Sequence, residues 1–395
     1  MSNHRSDNPH KKNLVFILGC CQYPPDLIRQ RQAYKTLSRI SSYIKENNFN
    51  RIDDEIVALI TGDSIYADAT AGLFDPVEEI SKYTNSYITF NNAPQKQALD
   101  ALSVNFLYTI DDHEINENWE PVAPEELLLQ GKRNFLLGHR RGAGLNPPRG
   151  ISEGEYLKNN LRDIPLWRRV SRQGTELFLM DTRTEREQRT LTNHTSANLI
   201  SKKQKKALFE WLDEMHRKDI ENQGPFAQPK FIVSGSMPLP RQQFISQSPD
   251  DTSVCLNSDG WDGYPATLNQ VLSHIAKNGI KNVIFLSGDA HIPCFAKATL
   301  NFNGASESTT IFSIHAAPFH APFPFGNAVK EDFAEKDIFR IKTTASLSVD
   351  ATVHCEFPNI GNGFISFEIP KKDDNQLYFN IAGDKGASSY EVLLN

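Results

Sequence analysis

Four apolar runs in this 395-residue sequence each end in side chains that can bind a metal ion or move a proton. In α/β folds, ligands sit beyond the carboxyl ends of the strands, so residues in these positions are candidates for a site. One carboxylate at a strand end is usually a cap or a turn residue. Turns alone do not explain four ends that carry such residues, namely Cys21, Asp63, Tyr66, Asp111, Asp112, His113, Asn118, Asp289 and His291.

The stretch GDS at residues 62–64 admits two interpretations. Ser64 is a nucleophile if the chain is a GDS-type esterase, and Asp63 is a metal ligand if it is not. A GDS block normally follows the first strand and has a D-x-x-H block near the C-terminus. Here it follows the second apolar run, and the comparable pair is Asp289 and His291, whose spacing of two points both side chains to one side of a strand. That arrangement favours joint metal ligation, and the Ser64 esterase is kept as the alternative.

Strand and helix patterns alternate along the chain, which predicts an α/β fold with a central sheet covered by helices. The apolar runs are nearly continuous, as in strands buried on both faces. Beyond residue 297 the runs predict mostly antiparallel strands that extend a second sheet. Ser201 is a predicted N-cap and Gly279 a predicted C-cap. The predicted strands are 13–19, 55–61, 104–110, 175–181, 230–235 and 282–289, and the predicted helices are 31–47, 202–218 and 266–278.

Composition excludes some classes of protein. The formal net charge of −6 argues against a nucleic-acid-binding protein, and no apolar run approaches the roughly 20 residues of a membrane span. Residues 1–12 are polar and lack the apolar segment of a signal peptide. We expect them to be disordered and the protein to be cytoplasmic, although secretion by a non-classical route leaves no such mark. No linker divides residues 13–395, which predicts one domain with loop insertions.

Six motifs, taken in order, resemble those of the PhoD-like alkaline phosphatases, a branch of the calcineurin-like metallophosphoesterases. The resemblance extends over roughly residues 14 to 300. It implies a central β-sandwich of mixed sheets flanked by helices. The motifs are GCCQ (19–22), GDSIY (62–66), DDHEINEN (111–118), LMDTR (179–183), WDGYP (261–265) and SGDAH (287–291).

The resemblance also implies a dinuclear or trinuclear metal site. Fe³⁺ and Ca²⁺ are the expected ions, with Mn²⁺ or Zn²⁺ as alternatives. Thiolate, phenolate and imidazole suit a transition metal, whereas carboxylate and amide oxygens suit calcium. Asp63 would bridge the two ions. The implied iron ligands are Cys21, Asp63, Tyr66 and His291, and Asn118 and Asp289 complete the second site.

The implied activity is hydrolysis of phosphate monoesters or diesters by a hydroxide shared between the metals. His113 would be a general acid or a phosphate contact, in a catalytic group that includes Asp112, and Arg183 would clamp the anion. The expected partner is a small phosphoester, with nucleic acid only as a phosphodiester substrate. Besides the Ser64 esterase, the remaining alternative is an inactive phosphatase-like scaffold.

The sequence departs from the family pattern in several places. We expect the chain to lack the secretion signal and the N-terminal β-domain that are typical of the family. Glu117-Asn118 stands where a pair of asparagines is usual, and Cys20 adjoins Cys21. Other aromatic and histidine residues have two interpretations, as walls of the cleft or as packing residues; they are Trp261, Tyr264, His315 and His320.

Overall fold

The computed structural model of the protein describes residues 13–25, 32–49, 54–68, 79–122, 124–222, 226–321, 328–369 and 375–394. Residues 1–12 lie outside these ranges, so their disorder stays a prediction. The cytoplasmic location and the single domain also stay predictions. Within the described ranges, none of the helices combines the length and the apolar composition needed to cross a lipid bilayer.

Fifteen β-strands and eight α-helices lie in the described ranges. The strands are β1 (Leu14–Gln22), β2 (Glu55–Thr61), β3 (Asn105–Thr109), β4 (Arg168–Arg172), β5 (Thr175–Leu179), β6 (Lys230–Val233), β7 (Val283–Ser287), β8 (Cys294–Phe302), β9 (Thr309–His315), β10 (Pro318–His320), β11 (Lys336–Lys342), β12 (Ser348–Glu356), β13 (Gly363–Glu368), β14 (Gln376–Gly383) and β15 (Gly386–Leu393). The helices are α1 (Lys35–Glu46), α2 (Glu79–Asn92), α3 (Pro94–Ala101), α4 (Glu125–His139), α5 (Glu153–Asn160), α6 (Lys202–Asn222), α7 (Gln243–Ser246) and α8 (Pro265–Lys277).

The strands form two mixed sheets. The first has the order β15-β14-β13-β1-β2-β3, with β10 also paired to β1. Its strands β1, β2 and β3 are parallel. The second has the order β11-β12-β8-β9-β7-β6-β5-β4, in which β5, β6, β7 and β9 are parallel. Each sheet therefore contains a parallel block whose carboxyl ends point the same way.

The sheets pack face to face, and helices cover their outer faces. Along β1, Phe16 belongs to the cluster between the sheets, whereas Val15 and Ile17 pack with the helices outside. The ring of Phe16 lies 5.9 Å from that of Phe231 in the second sheet. Burial of a side chain of this size contributes about 1.5–3 kcal/mol. The predicted β-sandwich flanked by helices, with strands buried on both faces, is confirmed.

The helices bury one apolar stripe each. In α1 the buried residues Leu37, Ile40 and Ile44 follow a helical spacing and face the first sheet. On the second sheet, α6 and α8 bury large side chains such as Trp211 and Leu272. The clusters are separate, so the sandwich has three apolar layers that fix the two sheets relative to one another.

Both predicted helix caps are present. Ser201 Oγ accepts a hydrogen bond from Gln204 N at 3.1 Å and so begins α6. Gly279 follows α8 with φ of 61°, a backbone conformation that glycine adopts without steric cost. Ile280 N then donates to Ile275 O at 3.0 Å, which closes the helix end.

The C-terminal strands divide between the two sheets instead of extending only the second. Strands β8, β9, β11 and β12 join the second sheet, but β13, β14 and β15 join the first through antiparallel pairing of β13 with β1. Apolar alternation shows that a strand has a buried face, but it does not show which sheet edge that strand pairs with. Helices α2, α3, α4 and α5, which flank β3 in the chain, were not predicted from the sequence.

Candidate active site

The parallel strand ends of the two sheets meet at one edge of the sandwich. Gly288, just after β7, marks a close approach of the two sheets: a Cβ there would lie 2.2 Å from Thr61 O and 2.6 Å from Cys20 Cβ. Only glycine fits between these atoms. The Gly-Asp pair at 288–289 therefore brings the second sheet's loop against the ends of β1 and β2, where the first sheet carries its own Gly-Asp pair at 62–63.

Most of the predicted metal ligands share an uncommon backbone conformation. Non-glycine residues rarely adopt positive φ, and when they do they cluster at functional sites. Among the described residues, ten non-glycine residues have positive φ, and half of them are predicted ligands. These are Cys21 (52°), Asp63 (52°), Asn118 (50°), Asp289 (91°) and His291 (57°).

One group of donor atoms contains a thiol, a carboxylate and an imidazole. The ligand atoms of Cys21, Asp63 and His291 all lie within 4.8 Å of one another. Cys21 Sγ is 3.4 Å from Asp63 Oδ2, and the Tyr66 hydroxyl is 2.9 Å from His291 Nε2. All four predicted iron ligands, which lie up to 270 residues apart in the sequence (291 − 21), therefore face one point.

Two further groups continue from the first. Asp63 also belongs with Asp112 and His113, and Asp112 belongs with Asp111 and Asp289, by the same limit of 4.8 Å. A carboxylate has two oxygens, so Asp63 can serve the first and second groups together. The other residue predicted for the second site, Asn118, lines the same cleft as Asp289 and donates its backbone N–H to Asp112 Oδ2 at 2.6 Å.

The site holds more acidic groups than its cationic residues neutralise. Burial, followed by the charges of Asp112 and Asp111, raises the pKa of Asp63 well above its usual range. Burial, followed by the charges of Asp259 and Asp111, does the same to the pKa of Asp289. Among the described residues, none donates a hydrogen bond to the buried atom Asp63 Oδ1. A bound cation would relieve each of these costs, so the residues present fit a metal site.

Arg183 lies beneath the carboxylates. Its side chain has no exposed surface, its Nε donates to Asp111 Oδ1, and its terminal nitrogen is 2.7 Å from Asp259 Oδ2. The same nitrogen is 3.5 Å from Asp112 and 3.6 Å from Asp289. This placement favours a role as counter-charge to the acids over the predicted contact with a substrate anion.

His113 faces the cleft and is held from behind by Asp68. Its Nδ1 lies 2.9 Å from Asp68 Oδ1 and 3.0 Å from Oδ2, and its ring lies 4.0 Å from that of Tyr66. Burial alone would lower the pKa of His113, but the charge of Asp112 and the hydrogen bond to Asp68 raise it to about 9. The imidazolium can donate a proton through Nε2 while Nδ1 stays bonded to the carboxylate.

Ser64 points away from this cleft. It is 1% exposed, and its Oγ lies 2.8 Å from Glu114 Oε1 and 2.7 Å from His139 Nε2. A catalytic triad needs the acid on the histidine, whereas here the acid contacts the serine. The buried position gives a substrate no access to Ser64, so the esterase alternative receives no support.

Comparisons with known proteins agree with this geometry. A sequence model of the family described as "PhoD-like phosphatase" matches residues 52–349, more than half of the chain. The chain belongs to the PhoD-like phosphatase family. The resemblance read from the six motifs is thereby confirmed. The matched range begins after Cys21, so the assignment of that residue rests on the donor geometry.

Two relatives of this PhoD-like chain show how far the likeness extends. It is 25% identical over 245 residues to alkaline phosphatase D of Bacillus subtilis (strain 168), a match that covers 58% of this chain and 38% of that protein. The chain thus spans less than half the length of this curated relative. A solved structure described as "Structure of PhoD" aligns with a TM-score of 0.59 and 16% identity, covering 96% of this chain and 68% of that one, which supports the fold.

The cleft of this PhoD-like phosphatase is an open cavity of about 220 Å³. Trp261 and Tyr264 do not line it: both are fully buried, with Trp261 Nε1 bonded to Ser234 Oγ at 3.0 Å, so they pack beside α8. Instead, one wall carries residues that no sequence motif indicated, namely Met237, Pro240, Gln242, Ser258, Asp259 and Phe333.

The segment 313–327 is described only as far as residue 321. His315 is buried in β9, with Nδ1 3.0 Å from Ser287 Oγ, and His320 is buried in β10. Neither histidine lines the cleft, so both are packing residues, whereas Pro318 and Ala321 border a neighbouring cavity that includes His291. Asp68 is the main residue that sequence reasoning missed: it lies two positions after Tyr66, but nothing in the sequence pairs it with His113.

Proposed function

We propose that this chain hydrolyses phosphate monoesters or diesters at the cleft, with two bound cations. The observation that carries the proposal is the position of Asp63, whose carboxylate belongs both to the group with Cys21 and His291 and to the group with Asp112 and His113. A carboxylate that belongs to two neighbouring donor groups can hold a pair of adjacent cations. Membership of the PhoD-like phosphatase family supports a phosphoester as the substrate class.

We propose Fe³⁺ and Ca²⁺ as the cations, with Mn²⁺ or Zn²⁺ as alternatives. The donor set supports two unlike ions, because one end offers sulfur, phenol and imidazole and the other offers carboxylate and amide oxygens. When bound, such ions supply Lewis acidity and lower the pKa of water. The residues that would hold them are Cys21, Asp63, Tyr66, Asn118, Asp289 and His291.

The chain's own residues have separate tasks in this proposal. His113 donates a proton to the leaving oxygen, and Asp68 holds the ring and favours its protonated form. Asp112 keeps its charge, because the Arg183 and His113 cations lower its pKa to about 2 although burial opposes this. Arg183 balances the acids from below, and so keeps them close together before a cation binds.

The test is metal content and turnover of the purified chain. Turnover of nitrophenyl phosphate and of bis(nitrophenyl) phosphate would be measured before chelation, after chelation and after return of iron, calcium, manganese or zinc. We expect about two bound metal ions per chain, loss of turnover when the chelator removes them, and recovery of turnover when metal is returned. Full turnover by metal-free protein would overturn the proposal. Bound metal without turnover on any phosphoester would favour the scaffold alternative.

A further inference from the structure

The carboxylate of Glu114 holds the site's backbone and does not face the cleft. Its side chain has no exposed surface. Its Oε2 accepts the backbone N–H of Asp63 at 3.1 Å and of Asp111 at 2.9 Å. Its Oε1 accepts from Ser64 twice, from the backbone N–H at 2.6 Å and from Oγ at 2.8 Å. Four donors thus converge on one carboxylate.

These donors come from two different turns of the first sheet. Asp63 lies two residues beyond the end of β2, and Asp111 lies two residues beyond the end of β3. The strands pair in parallel with Thr61 opposite Thr109, so the two turns are neighbours. The Glu114 carboxylate is the side chain that joins them, because a single oxygen accepts from both.

The turn at residues 62–64 needs such support. Gly62 has φ of 87° and Asp63 has φ of 52°, so two successive residues adopt left-handed conformations. Successive N–H groups in turns of this kind point into a concavity that binds an anion. Here the anion is the Glu114 carboxylate. It offsets the conformational cost at Asp63, a residue with a β-carbon, and so fixes the direction of the Asp63 side chain.

Glu114 is supported in turn by a buried serine and histidine. Because an ionised Oε1 can only accept, the Ser64 hydroxyl donates to it, and His139 Nε2 at 2.7 Å is then the donor to Ser64 Oγ. The His139 ring stacks on Tyr108 at 3.6 Å and meets the edge of Tyr87 at 5.0 Å. The aromatic packing holds His139, His139 orients Ser64, and Ser64 orients Glu114.

We infer that Glu114 is a positioning residue that sets the geometry of the metal-binding carboxylates, with Ser64 and His139 as its supports. The inference rests on the proposed function, because it assumes that Asp63 holds a cation. It also assigns a role to the Ser of GDS and the Glu of DDHE other than nucleophile or ligand: Glu114 is absent from every group of donor atoms found among the described residues.

The experiment measures how fast metal leaves the holoenzyme. Wild type, Glu114→Gln, Ser64→Ala and His139→Phe would be incubated with a chelator, and metal per chain would be followed by mass spectrometry. Glutamine keeps the shape of Glu114 but replaces one oxygen with a donor, so at least one backbone N–H loses its acceptor. Partners that orient ligands typically change metal affinity by about 10–100-fold. We expect Glu114→Gln to release metal about 10–100-fold faster than wild type, and the other two variants to release it faster by a smaller factor.

Asp219→Asn is the matched control, because Asp219 also accepts a backbone N–H, from Gln228 at 3.0 Å, but belongs to α6 outside the site. Asp219→Asn should lower the unfolding temperature without changing the rate of metal release.

For Glu114→Gln, kcat measured at saturating metal should be closer to the wild-type value than the metal affinity is. If folded Glu114→Gln releases metal at the same rate as wild type, the inference is overturned while the proposed function stays intact. If Glu114→Gln does not fold, the inference is overturned when both Ser64→Ala and His139→Phe release metal at the wild-type rate. Absence of metal from wild type would instead refute the proposed function.

Discussion

Asp63 and Ser64 are adjacent in the chain, yet they belong to opposite sides of one turn. On the Asp63 side, donor atoms from both sheets converge on a cleft, and a buried carboxylate oxygen lacks a donor. On the Ser64 side, each atom of the Glu114 carboxylate has partners, and aromatic rings exclude water. The buried carboxylate oxygen without a donor among the described residues marks the side that can bind a cation, whereas the fully bonded Glu114 carboxylate holds that side in place.

The sharpest test of this difference is Asp63→Asn. The amide keeps the shape but lacks the charge that both cation groups need, so metal and turnover should be lost together. Stabilisation by a metal is worth several kcal/mol, which corresponds to a loss of roughly 10³-fold or more in kcat/KM. Asp213→Asn, at a half-exposed position on α6, is the control and should match wild type. Retention of metal with full turnover would remove Asp63 from the site.

His113→Ala should lower the rate without removing metal. General acid catalysis is typically worth about 10²–10⁴-fold, and the loss should appear on an alkyl phosphate ester. It should shrink on a nitrophenyl ester, whose leaving group needs no proton. Metal content measured alongside separates the outcomes: equal losses on both esters with metal retained would make His113 a phosphate contact, and loss of metal would make it a ligand.

Tyr66→Phe should change the colour of the protein. A tyrosinate bound to ferric iron gives a visible charge-transfer band, and the phenol of Tyr66 lies 2.9 Å from His291 Nε2 in the first donor group. The variant should lose the band and bind metal more weakly. Tyr264→Phe is a suitable control, since that ring is buried outside the cleft. A colourless, iron-free wild type with full activity would exclude iron but not a two-cation site.

His139 should make the Ser64 side sensitive to acid. Burial lowers the pKa of His139 well below its usual range, so the folded state keeps it neutral while the unfolded chain protonates near pH 6.5. Its contribution to stability is therefore complete above about pH 6.5 and is lost as pH falls, by on the order of 1–2 kcal/mol at pH 5. In urea unfolding, the free energy of unfolding should fall less between pH 7 and pH 5 for His139→Phe than for wild type. His354→Gln, at an exposed position of β12, should behave as wild type; an equal change in all three proteins would contradict the expectation.

Ser64→Ala should have the smallest effect on turnover. It removes one of four donors to Glu114 and no ligand, so at saturating metal most activity should remain. A hydrogen bond to a charged group contributes about 1.5–3 kcal/mol, and we expect a loss of stability near the lower end. Loss of turnover with normal metal content would instead restore Ser64 as a nucleophile. It would contradict the assignment of Asp63 to the cleft and of Ser64 to its support.

Much of the fold could be predicted from the sequence. The apolar runs located β1, β2, β3, β5, β6 and β7 to within a few residues, because strands buried on both faces need little besides apolar side chains. Helices α6 and α8 were predicted with their caps. Helices α2 to α5 were not, since their weak amphipathic patterns carry little signal. The sheet assignment of β13 to β15 was also missed, because pairing depends on contacts with β1, more than 300 residues earlier (363 − 22 = 341).

The residues of the candidate site could be named from the sequence, but their arrangement could not. The residues expected to bind metal were identified by type and by position at strand ends, and the structure brings Cys21, Asp63, Tyr66 and His291 together. Asp68 was not identified, because its only signal is its distance to His113 in space. Arg183 was identified as a cation near the site, but its burial beneath the acids depends on four carboxylates from three loops.

The sequence by itself determined which residues end the strands and hence which chemistry is available, because strand and turn preferences are local. It favoured Asp63 over Ser64 in the Gly-Asp-Ser stretch without showing what surrounds either residue. Only the tertiary structure decided those surroundings, since adjacent residues in a left-handed turn point in different directions and their partners lie far away in the chain. Glu114 and His139 enclose Ser64, whereas Cys21 and His291 surround Asp63. Long-range packing, and not residue type, separates the two.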